Sequence, residues 1–120
     1  MSKRLMIVDD AMFMRLIIKD VAEKAGWEVV GEASNGEEAV AIYHQVHPDL
    51  VTMDLVMPKM GGLEALKAIK HIDPSARVVI VSALDQKETL VETIRTGAID
   101  FIVKPFEKDR ILGVLAKASA

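Results

Sequence analysis

Short apolar runs alternate with longer amphipathic stretches five times along the chain. The short runs are rich in β-branched residues and are bounded by glycine, proline, asparagine and aspartate, which is typical of strands. They predict strands at 4–8, 27–32, 49–54, 77–81 and 99–103. The stretches between them repeat apolar residues at helical spacing and predict helices at 11–25, 37–46, 63–72, 87–96 and 107–118. This alternation predicts an α/β fold, with a five-stranded parallel sheet covered by helices on both faces in a single domain over 1–120.

Polar side chains stand at the carboxyl ends of four predicted strands. Asp9 and Asp10 follow the first strand, Asp54 closes the third, Ser82 follows the fourth and Lys104 follows the fifth. Because the carboxyl ends of neighbouring parallel strands form a crevice, we expect these side chains to converge. Three carboxylates in one crevice repel unless a cation lies among them, a proton is shared or one carboxylate acts as a reagent. The sequence therefore points to an acidic Mg²⁺ site.

Composition and charge narrow the class of function. The chain has 120 residues, a formal net charge of −3 and no cysteine. Charges of both signs are interspersed without a basic run, so we expect neither nucleic acid nor an anionic membrane as a partner. A chain without cysteine has no disulfide framework or thiolate nucleophile and suits a reducing compartment. The apolar run after Arg4 ends at Asp9, too short for a signal peptide or a membrane span, and we expect a cytoplasmic protein.

The expected crevice suits phosphoryl transfer to a carboxylate. Mg²⁺ prefers one or two carboxylates, waters and phosphate oxygens, so an incoming phosphoryl donor can complete its octahedron. A carboxylate in line with the phosphorus can attack it and become an aspartyl phosphate. The charge on the phosphoryl oxygens then needs the metal, the Lys104 ammonium, the Ser82 hydroxyl and nearby backbone N–H groups.

Four segments at these strand ends carry a resemblance to a known family. They are Ile7-Val8-Asp9-Asp10, Met53-Asp54-Leu55-Val56-Met57-Pro58-Lys59-Met60-Gly61-Gly62, Val81-Ser82-Ala83 and Phe101-Ile102-Val103-Lys104-Pro105-Phe106. In this order, the sequence resembles the receiver domain of two-component response regulators over essentially its whole length, and most closely the stand-alone receivers of chemotaxis. The resemblance implies a flavodoxin-like (βα)5 sandwich with strand order 2-1-3-4-5, an order that periodicity does not determine.

The resemblance also implies roles for individual residues in the crevice. Asp54 would be the phosphoacceptor. Asp10 and Asp54 would ligate Mg²⁺ directly, together with the backbone carbonyl of Val56, and Asp9 would act mainly through a bound water. Lys104 would bond a phosphoryl oxygen.

A switch and an output surface follow from the same resemblance. Ser82 would move to capture a phosphoryl oxygen, and the Phe101 ring would swing inward with it. With no effector domain after the last residue, we expect the output to be a protein-binding face on the fourth helix, fifth strand and fifth helix. Candidate residues on that face are Lys87, Leu90, Phe101, Phe106 and Arg110. We expect a monomer that receives phosphate from a histidine kinase and binds a flagellar motor switch protein; the alternative is a phosphorelay unconnected with chemotaxis.

Several residues depart from the best-studied pattern of that family. Phe101 stands where many chemotaxis regulators have tyrosine, and Ser82 replaces threonine, which removes a methyl group and some χ1 stiffness. By the same resemblance, Val56 and Leu84 would flank the phosphoryl group. Their apolar side chains cannot orient an attacking water, so we expect a long-lived phosphoryl group and a separate phosphatase. We also predict a cis peptide bond between Lys104 and Pro105, because proline lowers the cost of that form to roughly 0.5–1 kcal/mol.

Three other interpretations of the aspartates compete with this one. Asp9 and Asp10 could be caps of the first helix, since aspartate is a preferred cap. A metal-dependent phosphatase would place its two aspartates two residues apart after the first strand, whereas here they are adjacent and Ala11 follows. A flavodoxin-like redox carrier would need a hydroxyl- and glycine-rich phosphate loop there, and Asp9-Asp10-Ala11-Met12 would repel a flavin phosphate.

Overall fold

The computed structural model describes residues 3–83 and 87–119. Its strands are β1 (Arg4–Val8), β2 (Glu28–Ala33), β3 (Leu50–Met53), β4 (Val78–Ser82) and β5 (Asp100–Val103). Its helices are α1 (Met12–Lys24), α2 (Gly36–Val46), α3 (Gly62–Ile72), α4 (Lys87–Thr96) and α5 (Lys108–Ser119). Each boundary lies within one residue of the sequence prediction.

The five strands form one parallel sheet in the order β2-β1-β3-β4-β5, as the resemblance predicted. Every strand is followed by a helix, which returns the chain to the opposite edge of the sheet before the next parallel strand begins. The carboxyl ends of β1 and β3 are direct neighbours, with Val8 paired to Met53. This pairing places the residues that follow the two strands side by side.

Alternating residues of each central strand fill two separate cores. On β1, Met6 and Val8 pack with residues of α2 and α3, whereas Leu5 and Ile7 pack with residues of α1 and α5. Successive side chains of a strand point to opposite faces, so a strand that is apolar at every position is buried on both sides. The sheet is therefore a rigid layer that fixes the loops at its carboxyl edge.

A buried tyrosine connects α2 to the end of α3, away from the carboxyl edge of the sheet. The Tyr43 hydroxyl donates to Asp73 Oδ2 at 2.7 Å, and Ser75 donates to Asp73 Oδ1 through its hydroxyl at 2.6 Å and its N–H at 3.0 Å. The Ser75 hydroxyl and the Tyr43 hydroxyl lower the pKa of Asp73 because both stabilise the carboxylate. Burial and the bond to Asp73 raise the pKa of Tyr43.

Two further features bear on the sequence predictions. The Lys104-Pro105 peptide bond is cis, as predicted. None of the helices in the described part of the chain has the length and apolar character that crossing a membrane requires.

Candidate functional site

Three carboxylates meet at the carboxyl edge of the sheet, as the sequence predicts. Asp9 and Asp10 follow β1, and Asp54 follows β3. The Asp54 N–H donates to the Val8 carbonyl at 3.0 Å, which continues the strand pairing to the first residue beyond β3. One oxygen from each of the three carboxylates lies within 4.8 Å of the others. Carboxylate oxygens at this spacing can share one hard cation.

The three carboxylates differ in exposure. Asp9 is 1% exposed and Asp54 is 7% exposed, whereas Asp10 opens to solvent. Asp9 Oδ1 accepts a hydrogen bond from the N–H of Ala11 at 2.9 Å. Ala11 is itself the cap residue of α1, so the interpretation of Asp9 and Asp10 as helix caps is wrong.

The Lys104 ammonium bridges the two buried carboxylates. Its Nζ lies 2.6 Å from Asp9 Oδ2 and 3.2 Å from Asp54 Oδ2. Burial lowers the pKa of Lys104, but the hydrogen bond to Asp9 and the charges of Asp54 and Asp9 outweigh it, and the pKa lies above its ordinary value of 10.5. The side chain is therefore a permanent cation at neutral pH. The cluster still holds more negative than positive charge, and this excess suits a second cation.

The other oxygen of Asp54 faces the backbone. Asp54 Oδ1 accepts from the N–H of Leu55 at 2.7 Å and from the N–H of Val56 at 3.4 Å. Val56 itself is 61% exposed. Both oxygens of Asp54 thus accept hydrogen bonds, Oδ1 from two backbone N–H groups and Oδ2 from Lys104.

Ser82 and Phe101, the predicted switch pair, lie on β4 and β5. Ser82 is the last residue of β4, is buried and pairs with Val103. Its carbonyl accepts a hydrogen bond from the backbone N–H of Lys104 at 2.9 Å, so the serine and the lysine are held at the same edge of the sheet. Phe101 is half-buried on β5, and its ring packs against the core under α2 and α3.

The residues predicted for a protein-binding face do not share one environment. Lys87 at the start of α4 and Arg110 on α5 are exposed, and Leu90 is half-buried. Phe106 packs against the core under α1 and α5. An Arg110 Nη2 donates to the carbonyl of Phe101 at 2.6 Å and so connects α5 to the predicted switch residue.

Leu84, the other residue predicted to flank the phosphoryl group, lies outside the described residues.

Sequence reasoning missed two contributors to the site. A Cβ at Gly62 would collide with the backbone carbonyl of Asp54, so this glycine provides a close approach where the sequence suggests only a flexible turn. Arg15 Nη1 donates to the backbone carbonyl of Asp9 at 2.6 Å. An arginine in the first turns of a helix that follows acidic residues is a weak signal, and only the fold shows which group it contacts.

Comparison with known proteins agrees with this architecture. The model of the response regulator receiver domain matches residues 5–116. The chemotaxis protein CheY of Thermotoga maritima is 52% identical over 119 residues, 99% of each chain. The chemotaxis protein CheY of Bacillus subtilis is 53% identical over 117 residues, 98% of each chain. The CheX-CheY-BeF3-Mg²⁺ complex from Borrelia burgdorferi includes a chain that superposes with a TM-score of 0.94 at 33% identity, covering 98% of this chain and 89% of that one.

The chain therefore belongs to the response regulator receiver domain family. Receivers are signalling proteins that accept a phosphoryl group. Within the family, this chain is a CheY-like receiver, similar to chemotaxis CheY proteins over nearly their full length. The resemblance seen in the sequence is confirmed, and the phosphatase and redox-carrier interpretations are not supported.

Proposed function

We propose that this chain is a single-domain phosphoacceptor, with Asp54 as the residue that a histidine kinase phosphorylates. In this reaction a carboxylate oxygen of Asp54 attacks the phosphorus, a P–O bond forms and the P–N bond to the kinase histidine breaks. The observation that carries the proposal is the setting of Asp54, which is buried beside two other carboxylates and bonded to Lys104 and to two backbone N–H groups. Donors that surround Asp54 in this way would stabilise the negative charge that grows on the phosphoryl group.

The same site is proposed to hold Mg²⁺ on Asp9, Asp10, Asp54 and the backbone carbonyl of Val56. The donor set fits this ion, because Mg²⁺ prefers a few hard oxygens and keeps several waters, and the exposed carboxylate of Asp10 leaves room for them. When bound, the ion would neutralise charge on the phosphoryl oxygens. The related CheY chain in the Borrelia burgdorferi complex was solved together with Mg²⁺ and BeF3.

The response to phosphorylation is proposed to run through Ser82 and Phe101. Lys104 and Ser82 would each bond a phosphoryl oxygen. A movement of Ser82 would reach the end of β5 through the hydrogen bond that the Lys104 N–H donates to the Ser82 carbonyl. Phe101 has no hydroxyl, so only the packing of its half-buried ring can report the change. Residues of the face that would respond are Lys87, Leu90, Phe101, Phe106 and Arg110.

The proposed partners follow from the similarity to chemotaxis proteins. A histidine kinase would donate the phosphoryl group to a monomeric receiver, and a flagellar motor switch protein would bind the responding face. A phosphatase would end the signal, and a related CheY was solved in complex with CheX. The protein would assist its own phosphorylation without acting as an enzyme on an external substrate.

The acceptor assignment can be tested with Asp54→Asn, which keeps the shape of the side chain and removes the nucleophile. Incubated with acetyl phosphate and Mg²⁺, the wild-type protein should gain one phosphoryl group by intact-mass analysis, and Asp54→Asn should gain none. Asp20→Asn is the matched control, because this aspartate is exposed on α1 and pairs with Lys24. Labelling of Asp54→Asn to the wild-type extent would show that another residue is the acceptor.

The metal assignment can be tested with Asp10→Ala. Mg²⁺ that binds only the folded protein stabilises it by about 2.7 kcal/mol at 100-fold excess over its dissociation constant. Asp10→Ala should lose most of this gain, measured as the shift of the thermal midpoint on adding Mg²⁺. An unchanged shift would place the ion elsewhere.

A further inference from the structure

Arg15 makes a contact that the proposed function does not use. It lies on α1 with its side chain only 15% exposed. Its Nη1 donates to the backbone carbonyl of Asp9 at 2.6 Å, and its Nε donates to Glu32 Oε1 on β2 at 3.2 Å. Two donors of one rigid guanidinium are thus directed to two different groups, a geometry that a lysine cannot reproduce.

The bond from Arg15 completes the fixation of Asp9. The N–H of Asp9 donates to the Ala33 carbonyl at 3.0 Å, and its carboxylate oxygens accept from Ala11 at 2.9 Å and from Lys104 at 2.6 Å. With the Arg15 bond to its carbonyl, each polar group of Asp9 has a partner. The bond to the carbonyl extends these contacts to the peptide group that leads to Asp10.

Asp10 is joined to Asp9 by that peptide group. Its side chain is exposed, yet one of its oxygens lies within 4.8 Å of oxygens of Asp9 and Asp54. The carbonyl of Asp9 and the N–H of Asp10 belong to one planar unit, so fixing the carbonyl oxygen also fixes the direction in which the chain enters Asp10. Without a bond to that oxygen, the unit can rotate and move the Asp10 carboxylate away from the cluster.

We infer that Arg15 is a positioning residue for the metal site, which holds the Asp9-Asp10 peptide so that the Asp10 carboxylate faces the cation. This inference rests on the proposed function, because it assumes that the carboxylates bind Mg²⁺. Glu32 completes the arrangement by holding the guanidinium at its other side, and Lys19 lies 3.8 Å from the second oxygen of Glu32.

The simpler alternative is that Arg15 only joins α1 to the sheet. In that case its loss would lower the stability of the metal-free protein and leave the affinity for Mg²⁺ unchanged. A positioning role instead predicts a weaker affinity for Mg²⁺, beyond any loss of stability. Partners of metal ligands commonly change metal affinity by about 10- to 100-fold when they are removed.

The test compares Arg15→Met, Arg15→Lys and Glu32→Gln with Lys19→Met as the matched control. The dissociation constant for Mg²⁺ is measured by calorimetry, and the metal-free stability by urea unfolding in EDTA. Arg15→Met should weaken Mg²⁺ binding about tenfold, Arg15→Lys should recover part of the affinity, and Glu32→Gln should cause a smaller loss. Lys19→Met should stay within about twofold, because exposed ion pairs contribute little.

Other outcomes would overturn the inference. If Arg15→Met binds Mg²⁺ as tightly as wild type while its metal-free stability falls, Arg15 is only structural. If Arg15→Met does not fold, the Mg²⁺ affinities of Arg15→Lys and Glu32→Gln decide the question. If both variants bind Mg²⁺ as tightly as wild type, the positioning role is rejected. If the wild-type protein itself does not bind Mg²⁺, the proposed metal site fails and the inference fails with it, a result that the wild-type titration identifies directly.

Discussion

Replacing Lys104 with methionine tests whether its ammonium stabilises the two buried carboxylates in the folded protein. Methionine keeps an unbranched side chain of similar reach and removes the charge. Lys104 Nζ lies 2.6 Å from Asp9 Oδ2 and 3.2 Å from Asp54 Oδ2, and the side chains of these aspartates are only 2% and 10% exposed. The variant would leave both without their shared cation.

The size of the effect follows from this burial. Removing one partner of a buried ion pair costs about 3–5 kcal/mol, because the remaining charge is left uncompensated. Because the Lys104 side chain is 15% exposed and Asp54 also has backbone donors, we expect a loss of about 2–4 kcal/mol in Mg²⁺-free buffer. For a domain of this size, that loss corresponds to a drop of roughly 10 °C in the thermal midpoint.

Mg²⁺ should reverse part of this loss. The ammonium and the ion would compete for the same oxygens of Asp9 and Asp54, so Lys104→Met should bind Mg²⁺ more tightly than wild type. Each tenfold gain in affinity adds about 1.4 kcal/mol to the stabilisation at saturating ion. The difference in unfolding free energy between wild type and Lys104→Met should therefore decrease when Mg²⁺ is added.

The assay is urea unfolding followed by the fluorescence of Trp27, which is the chain's only tryptophan and is buried. Each protein is measured in EDTA and in saturating Mg²⁺. Lys108→Met is the matched control, because this lysine is exposed on α5 and its loss should change stability by no more than about 0.5 kcal/mol. The reasoning is refuted if Lys104→Met loses no more stability in EDTA than this control, or if Mg²⁺ stabilises it less than wild type.

Three further predictions concern other parts of the chain. The buried Thr52 hydroxyl has no hydrogen-bond partner among the described residues, so Thr52→Val should raise the unfolding free energy by about 1 kcal/mol. The control Thr93→Val removes a hydroxyl that is hydrogen-bonded within α4, and it should lower the unfolding free energy. Equal effects of the two substitutions would contradict this reasoning. Because the folded protein lowers the pKa of Asp73 below its ordinary value of 3.8, the stability that this carboxylate contributes is present above that pH and is lost as the pH falls through the lower folded value. The stability difference between wild type and Asp73→Asn should therefore shrink on acidification, and a difference that stays constant down to about pH 2 would refute the linkage. Combining Val56→Asn with Leu84→Glu should speed the loss of radiolabelled phosphate, because polar side chains can orient the attacking water, and an unchanged decay would refute this explanation of a long lifetime.

Local pattern was enough to predict the elements of this fold. Strand and helix boundaries depend on the period of apolar residues and on flanking glycine, proline and aspartate, and these signals lie within a few residues of the element that they define. The same reasoning brought Asp9, Asp10 and Asp54 to one edge, because parallel strands share the direction of their carboxyl ends. The order of the strands came from family resemblance, since periodicity is the same for every order.

Only the tertiary structure decided how these residues are held. Lys104 contacts Asp9 and Asp54 from 95 and 50 residues away in the chain, and no local pattern specifies that one ammonium bridges both. Gly62 is required because α3 begins against the Asp54 carbonyl, and the bond from Arg15 to the Asp9 carbonyl depends on how α1 lies over the sheet. The sequence determined which chemical groups reach the edge of the sheet. Their pairing and burial were decided by the packing of distant segments, because hydrogen bonds and close contacts depend on distances that only the folded chain sets.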